Sequence, residues 1–207
     1  MACTTEDVVA ALRRCAEVIS EHRDELVELD REIGDADHGE NLNRGFAAVV
    51  SAVDSTMPET PGAALKLAAT TLISKVGGAA GPLYGTAFLR AATTVGDAAE
   101  LDAPMVAKVL RAAMDGVVAR GKAEQGDKTM VDALHPAVLA AESATEVPVG
   151  ELLKAAATAA SEGAAATVPL VARKGRASYL GERSAGHLDP GARSTELLLG
   201  AFAGGQR

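Results

Sequence analysis

Apolar residues return every three or four positions over most of the chain. In the first segment Val8, Leu12, Cys15, Ile19, His22, Leu26 and Leu29 fall on one stripe, the mark of an amphipathic helix. That spacing predicts one helix over about residues 6–29, with Thr4 or Thr5 as its N-cap. The same reading predicts helices over about 41–54, 63–76, 82–94, 103–120, 129–141, 149–166 and 192–202. Pro58 and Pro61 break the chain before the third helix, and Pro82 suits the first turn of the fourth. Asp102 and Pro104 mark the start of the fifth, and Pro136 is expected to kink the sixth. Residues 173–190 carry three glycines and no period, and read as a long ordered loop. Eight helices joined by short connections imply antiparallel neighbours.

Composition sharpens the fold class to all-α. Alanine makes up about a fifth of the chain, and alanine is the best helix former. Aromatic residues are 2% and tryptophan is absent, so the β-branched and aromatic runs of strands are missing. The 207 residues fit one domain over 1–207. A net charge of −8 with no basic run argues against a nucleic-acid partner. Two cysteines, Cys3 and Cys15, are too few for a disulfide framework, which suits a reducing cytoplasmic setting. No apolar run approaches the roughly 18 residues of a membrane span. The polar start (Thr4, Thr5, Glu6, Asp7) leaves no signal peptide to expect.

Four segments hold residues suited to chemistry. Asp30, Asp35 and Asp37 are oxygen donors of the kind that hold Mg²⁺ or Ca²⁺. On spacing alone they read equally as metal ligands or as caps on a solvated acidic turn, and the spacing does not fit an EF-hand. Gly77-Gly78-Ala79-Ala80-Gly81 precedes a helix, so it reads as an anion cradle or as a plain tight turn. It lacks the Gly-Lys-Ser/Thr of a P-loop. Gly126-Asp127-Lys128-Thr129-Met130 offers Asp127 as a helix cap. Residues 173–193 bring Arg176, Arg183, Arg193, His187 and Asp189-Pro190-Gly191, suited to an anionic ligand or to a charged surface loop. His22 is expected at a core edge and His135 at the surface or as a capping residue, neither as a ligand. His38 stands apart because it lies inside the aspartate loop. No cysteine–histidine zinc cluster and no nucleophile-elbow serine is present.

Taken in order, these segments resemble one family. Gly34-Asp35-Ala36-Asp37-His38-Gly39-Glu40-Asn41-Leu42-Asn43-Arg44-Gly45-Phe46 is similar to the signature of the nucleotide-binding (L) subunit of dihydroxyacetone kinases. Residues 78–88, 126–132 and 179–194 match its other motifs. The resemblance implies an eight-helix antiparallel barrel with a nucleotide site at one end. It implies that Asp30, Asp35 and Asp37 bind two Mg²⁺ ions, with His38 and Asn41 at the phosphates of ADP or ATP. Gly78, Ala79, Ala80 and Gly81 would contribute backbone N–H groups. Gly121, Met130, Arg176, Asp189, Pro190 and Gly191 would surround adenine and ribose, and no protein nucleophile is needed. It further implies a separate K subunit that holds dihydroxyacetone, and a phosphotransferase-system M subunit that recharges ADP. A homodimer stays open. A free-ATP kinase for another short ketose or a four-carbon sugar and a non-catalytic regulatory module remain alternatives. One position departs from the pattern: Ala80 stands where the family usually has serine.

Overall fold

The computed structural model describes residues 2–204. Among them are nine α-helices: α1 (Thr5–Glu21), α2 (Arg23–Ile33), α3 (His38–Thr56), α4 (Pro61–Lys75), α5 (Ala80–Val95), α6 (Ala103–Gly121), α7 (Met130–Ser143), α8 (Val149–Ala165) and α9 (Pro190–Ala203). The all-α reading therefore holds. Sheet is confined to two-residue strands, β1 (Cys3–Thr4) and β2 (Glu100–Leu101), paired antiparallel with Cys3 opposite Leu101. The stretch expected as a loop over 173–190 contains a 3₁₀ segment, Arg176–Ser184.

The expected first helix is two helices. His22 leaves helical geometry (φ −99°, ψ 12°) between α1 and α2. One non-helical residue hardly shifts the phase of an apolar stripe, so the pattern ran straight across the break. α2 then continues through Asp30 to Ile33, both buried. The acidic turn shrinks to residues 34–37, and α3 begins at His38.

Each helix from α3 to α9 packs on the next, and α1 packs on both α3 and α9. α2 lies against α3 and α9. All three phenylalanines meet in the core: Phe46 of α3 stands edge-on to Phe88 of α5, 6.4 Å between ring centres, and Phe88 lies 6.4 Å from Phe202 of α9. Elsewhere leucine, isoleucine and valine side chains are joined by small residues such as Ala64, Ala133, Ala156 and Ala160, all fully buried. The α7–α8 contact shows why. Pro136 lies inside α7 and lacks the N–H that the Asp132 carbonyl would otherwise accept. Gly163 of α8 packs onto that carbonyl: an added Cβ would stand 2.3 Å from Asp132 O and 2.7 Å from Pro136 Cγ.

Asp127 does not cap α7. Thr129 does, in a capping box with Asp132, while the Asp127 carboxylate accepts the Glu124 N–H at 2.9 Å. Lys128, between them, is 1% exposed. Its ammonium donates to the carbonyls of Thr167 (2.7 Å) and His187 (2.5 Å). One buried cation thus ties together both ends of the segment that leads from α8 to α9. Asp189 caps α9 by accepting the Ala192 N–H at 2.8 Å, and its own N–H donates to Thr167 Oγ1. Burial pushes the Asp189 carboxyl up to about 7, against the opposing pull of the Ala192 N–H and Lys128. Burial also pushes the Lys128 ammonium down.

Two expected outcomes follow from this packing. Gly163→Ala should lower the urea midpoint, because overpacking costs about 1–3 kcal/mol and outweighs the roughly 1 kcal/mol that alanine gains as a helix former. A raised midpoint would show that α7 and α8 separate freely. The second concerns pH. An aspartate with a folded value near 7 and an unfolded value near 3.9 binds its proton more tightly when folded. Its contribution is present below about pH 4 and is lost as pH rises towards 7. Asp189→Asn keeps a capping oxygen and should flatten that decline in urea unfolding between about pH 4.5 and 7.5. An unchanged slope would refute a protonated Asp189.

Candidate functional site

The break at residues 34–37 builds one end of a cavity of about 470 Å³. Asp30, in the last turn of α2, is buried, with one oxygen accepting the backbone N–H groups of Asp37 (2.9 Å) and His38 (3.1 Å). Its other oxygen lies over Gly34, where an added Cβ would stand 2.0 Å from Oδ1. The turn is tight enough to hold Ala36 at φ 61°, a left-handed conformation uncommon for a residue with a side chain. Through this turn Asp30, Asp35 and Asp37 each bring a carboxylate oxygen within 4.8 Å of the others. Arg176 reaches across from the 3₁₀ segment to Asp35 at 2.8 Å. Three clustered carboxylates beside one guanidinium leave a surplus of negative charge, and hard oxygen donors of this kind fit a divalent cation such as Mg²⁺.

The glycine turn forms another wall. Gly78 takes φ 63°, and α5 begins at Ala80 with no side chain capping it. No side chain takes the first N–H groups of α5, and Gly77, Gly78, Ala79 and Ala80 at that end line the cavity. The other walls come from Val117 and Gly121 at the end of α6, from Lys128–Val131 at the start of α7, from residues 174–177, and from Asp189, Pro190 and Gly191. Leu83, Val117, Met130 and Val131 give the cavity an apolar side.

Asp30, Asp35, Asp37, His38, Gly78, Ala79, Ala80, Gly121, Met130, Arg176, Asp189, Pro190 and Gly191 all line this one cavity. Asn41 and Gly81 stand behind its wall. Asn41 is buried one turn into α3 and accepts from Arg44 at 2.5 Å, and Gly77 lies against its side chain. Gly81 packs on the Val76 carbonyl, 2.2 Å from an added Cβ. The arginines separate by role. Arg176 lines the cavity, Arg193 is paired with Glu25 and Glu196, and Arg183 is exposed outside it.

Sequence reasoning missed Lys128, Tyr84 and Ser194. Lysine in a polar turn reads as surface, and only the tertiary contacts bury it. The available signal for Tyr84 was scarcity: the chain has two tyrosines, and this one follows the glycine turn by one helical turn. His38 Nε2 lies 2.9 Å from Ser194 Oγ, which lies 2.7 Å from Tyr84 Oη. Burial pushes the His38 imidazole below its usual range, with Asp30, Asp37 and the Pro190 carbonyl pulling the other way. Burial pushes the Tyr84 hydroxyl up to about 12.

Comparison with known proteins was consistent with these motifs. The DAK2 domain profile matches residues 32–204. The chain is 45% identical over 207 residues to the ADP-binding subunit of the PEP-dependent dihydroxyacetone kinase of Escherichia coli (strain K12), covering 98% of each chain. It is 38% identical over 198 residues to the ADP-binding subunit of the PTS-dependent dihydroxyacetone kinase of Lactococcus lactis subsp. lactis (strain IL1403), covering 95% of each. In fold it is similar to the dihydroxyacetone kinase of C. freundii in complex with AMP-PNP and Mg²⁺, with a TM-score of 0.74 at 24% identity. That likeness covers 96% of this chain and 34% of the other, so this chain spans about a third of that length. No helix among the described residues is long and apolar enough to cross a membrane. The chain belongs to the DAK2 domain family, among the L-type subunits of the dihydroxyacetone-kinase phosphotransferases.

Proposed function

We propose that this chain is the ADP/ATP-binding subunit of a split dihydroxyacetone kinase, working in the cytoplasm. The observation that carries this reading is the convergence of the aspartate trio, the open start of α5 and the Asp189–Gly191 segment on one cavity. Its volume suits a small-molecule ligand of nucleotide size. The relatives that match it over nearly their whole length are named as ADP-binding subunits, which supports the same ligand here.

In this reading Asp30, Asp35 and Asp37 hold two Mg²⁺ ions. When bound, these ions neutralise phosphate charge and polarise the transferred phosphoryl group. The N–H groups of Ala80 and its neighbours face the phosphates and add fixed dipoles without needing to reorganise. His38 stands at the phosphate end, between the aspartates and α9. The apolar side made by Leu83, Val117 and Met130 receives the flat base, and residues 174–177 with Asp189–Gly191 enclose the ribose. Among the described residues no serine or cysteine lines the cavity, so this chain offers no such nucleophile to carry the phosphoryl group. Transfer is direct, to dihydroxyacetone held on a separate K subunit that meets the open face of the cavity. A phosphotransferase-system protein recharges the ADP, as the PEP- and PTS-dependent names of the relatives suggest.

Native mass spectrometry of the purified protein tests this directly. The expected mass includes one ADP and two Mg²⁺, both lost after chelation. A protein that purifies empty and takes up Mg-ATP reversibly would favour a kinase fed by free ATP. One that binds neither nucleotide would refute the reading. Asp37→Asn should weaken Mg-ADP binding at least about tenfold, since it removes a charged ligand, with the helical circular dichroism unchanged. Undiminished affinity would mean that the aspartates only shape the turn.

A further inference from the structure

The cavity is backed by a buried chain of hydroxyl groups that the chemistry above does not use. Tyr84 Oη lies 2.7 Å from Ser194 Oγ and 2.9 Å from Thr195 Oγ1. All three hydroxyls converge on the Gly191 carbonyl, at 3.3 Å for Tyr84, 3.1 Å for Ser194 and 2.9 Å for Thr195. Ser194 also reaches His38 Nε2 at 2.9 Å. Tyr84, Ser194 and Thr195 are 4%, 0% and 2% exposed.

A buried hydroxyl is costly unless it is satisfied. Phenylalanine would fill the core at position 84 without that cost, so the tyrosine oxygen needs another reason to be there. Its place in the fold supplies one. The three helices that carry the chain are among the four whose N-terminal ends line the cavity: His38 opens α3, Tyr84 lies one turn into α5 after Ala80, and Ser194 lies one turn into α9. The backbone N–H of His38 is bound to Asp30, and its ring is bound to Ser194. Asp30, His38, Ser194 and Tyr84 therefore form one continuous run from the carboxylate cluster to the helix behind the glycine turn.

We propose that Tyr84 and Ser194 are positioning residues for the nucleotide site: their hydroxyls lock the His38 ring, and with it the acidic turn, at a set distance from the start of α5. The inference rests on the reading of the cavity as a nucleotide site. A ligand that spans the carboxylates and the open N–H groups of α5 needs both walls in register. A polar network that fixes them in advance lowers the cost of ordering them on binding.

Calorimetric titration of the full chain with Mg-ADP tests the proposal, after bound nucleotide has been removed. Tyr84→Phe deletes one oxygen and keeps the ring, so the fold should survive. Its Kd for Mg-ADP should rise about three- to tenfold, the range of one lost hydrogen bond. Ser194→Ala should raise it at least as much. Because the two act through one run of bonds, the double variant should be no worse than Ser194→Ala alone. Thermal unfolding of the same samples gives the control. A lower melting temperature with unchanged Kd would show that the hydroxyls only stabilise the fold, and would overturn the proposal. Strictly additive losses would overturn it too, since independent contacts rather than one run would then be at work. Failure of the unsubstituted chain to bind Mg-ADP would overturn the reading of the cavity together with the proposal.

Discussion

The site depends on one buried carboxylate. Asp30, in the last turn of α2, accepts the backbone N–H groups of Asp37 and His38. Asp37, the residue that precedes α3, places no side-chain cap on that helix. Two N–H groups at the start of α3, those of Asp37 and His38, are thus satisfied from another helix. The other oxygen of Asp30 leaves no room for a Cβ at position 34. A single side chain therefore closes α2, demands glycine in the turn, starts α3 and sets Asp35 and Asp37 beside it. A buried carboxylate without such donors would be expensive, so the turn and the charge support each other.

A second wall of the cavity depends on a buried cation in a similar way. The Lys128 ammonium gathers the Thr167 and His187 carbonyls, which closes a long segment into a loop with both ends fixed. That segment carries Arg176 to Asp35 and leads into the cap formed by Asp189. Backbone carbonyls take up the hydrogen bonds of the ammonium, while the carboxylates of Asp189 and Asp132 lie near enough to act on its charge. A ligand carrying both phosphate and divalent cations would complement the carboxylate cluster and the uncapped start of α5.

Besides α3, three helix starts line the cavity and are treated differently. The starts of α7 and α9 are capped by their own Thr129 and Asp189, and these ends serve as walls. The start of α5 has no side-chain cap, so its N–H groups remain available. Small residues make this possible. Glycine and alanine at positions 77–81 let the backbone itself form the surface, and the alanine-rich contacts elsewhere bring the helices close enough for one buried network to join three of them.

The sequence by itself determined the helices and the candidate segments. Apolar periodicity, proline and aspartate at helix starts and the lack of strand-forming runs were enough, because these are local properties of the chain. The four motifs were likewise legible, since each is a short contiguous run. The break at His22 was not, because its neighbours kept the same apolar phase. Asp127 looked like the cap of α7, but the carboxylate was drawn to Glu124 N–H and Thr129 took its place. Only the tertiary structure decided that Lys128 is buried and that Tyr84, Ser194 and His38 meet. Those contacts join residues from distant parts of the chain, and their energy exists only once the helices have packed. Whether the aspartates merely cap a turn or face a cavity was decided in the same way: position on one helix end is local, and a shared cavity is not.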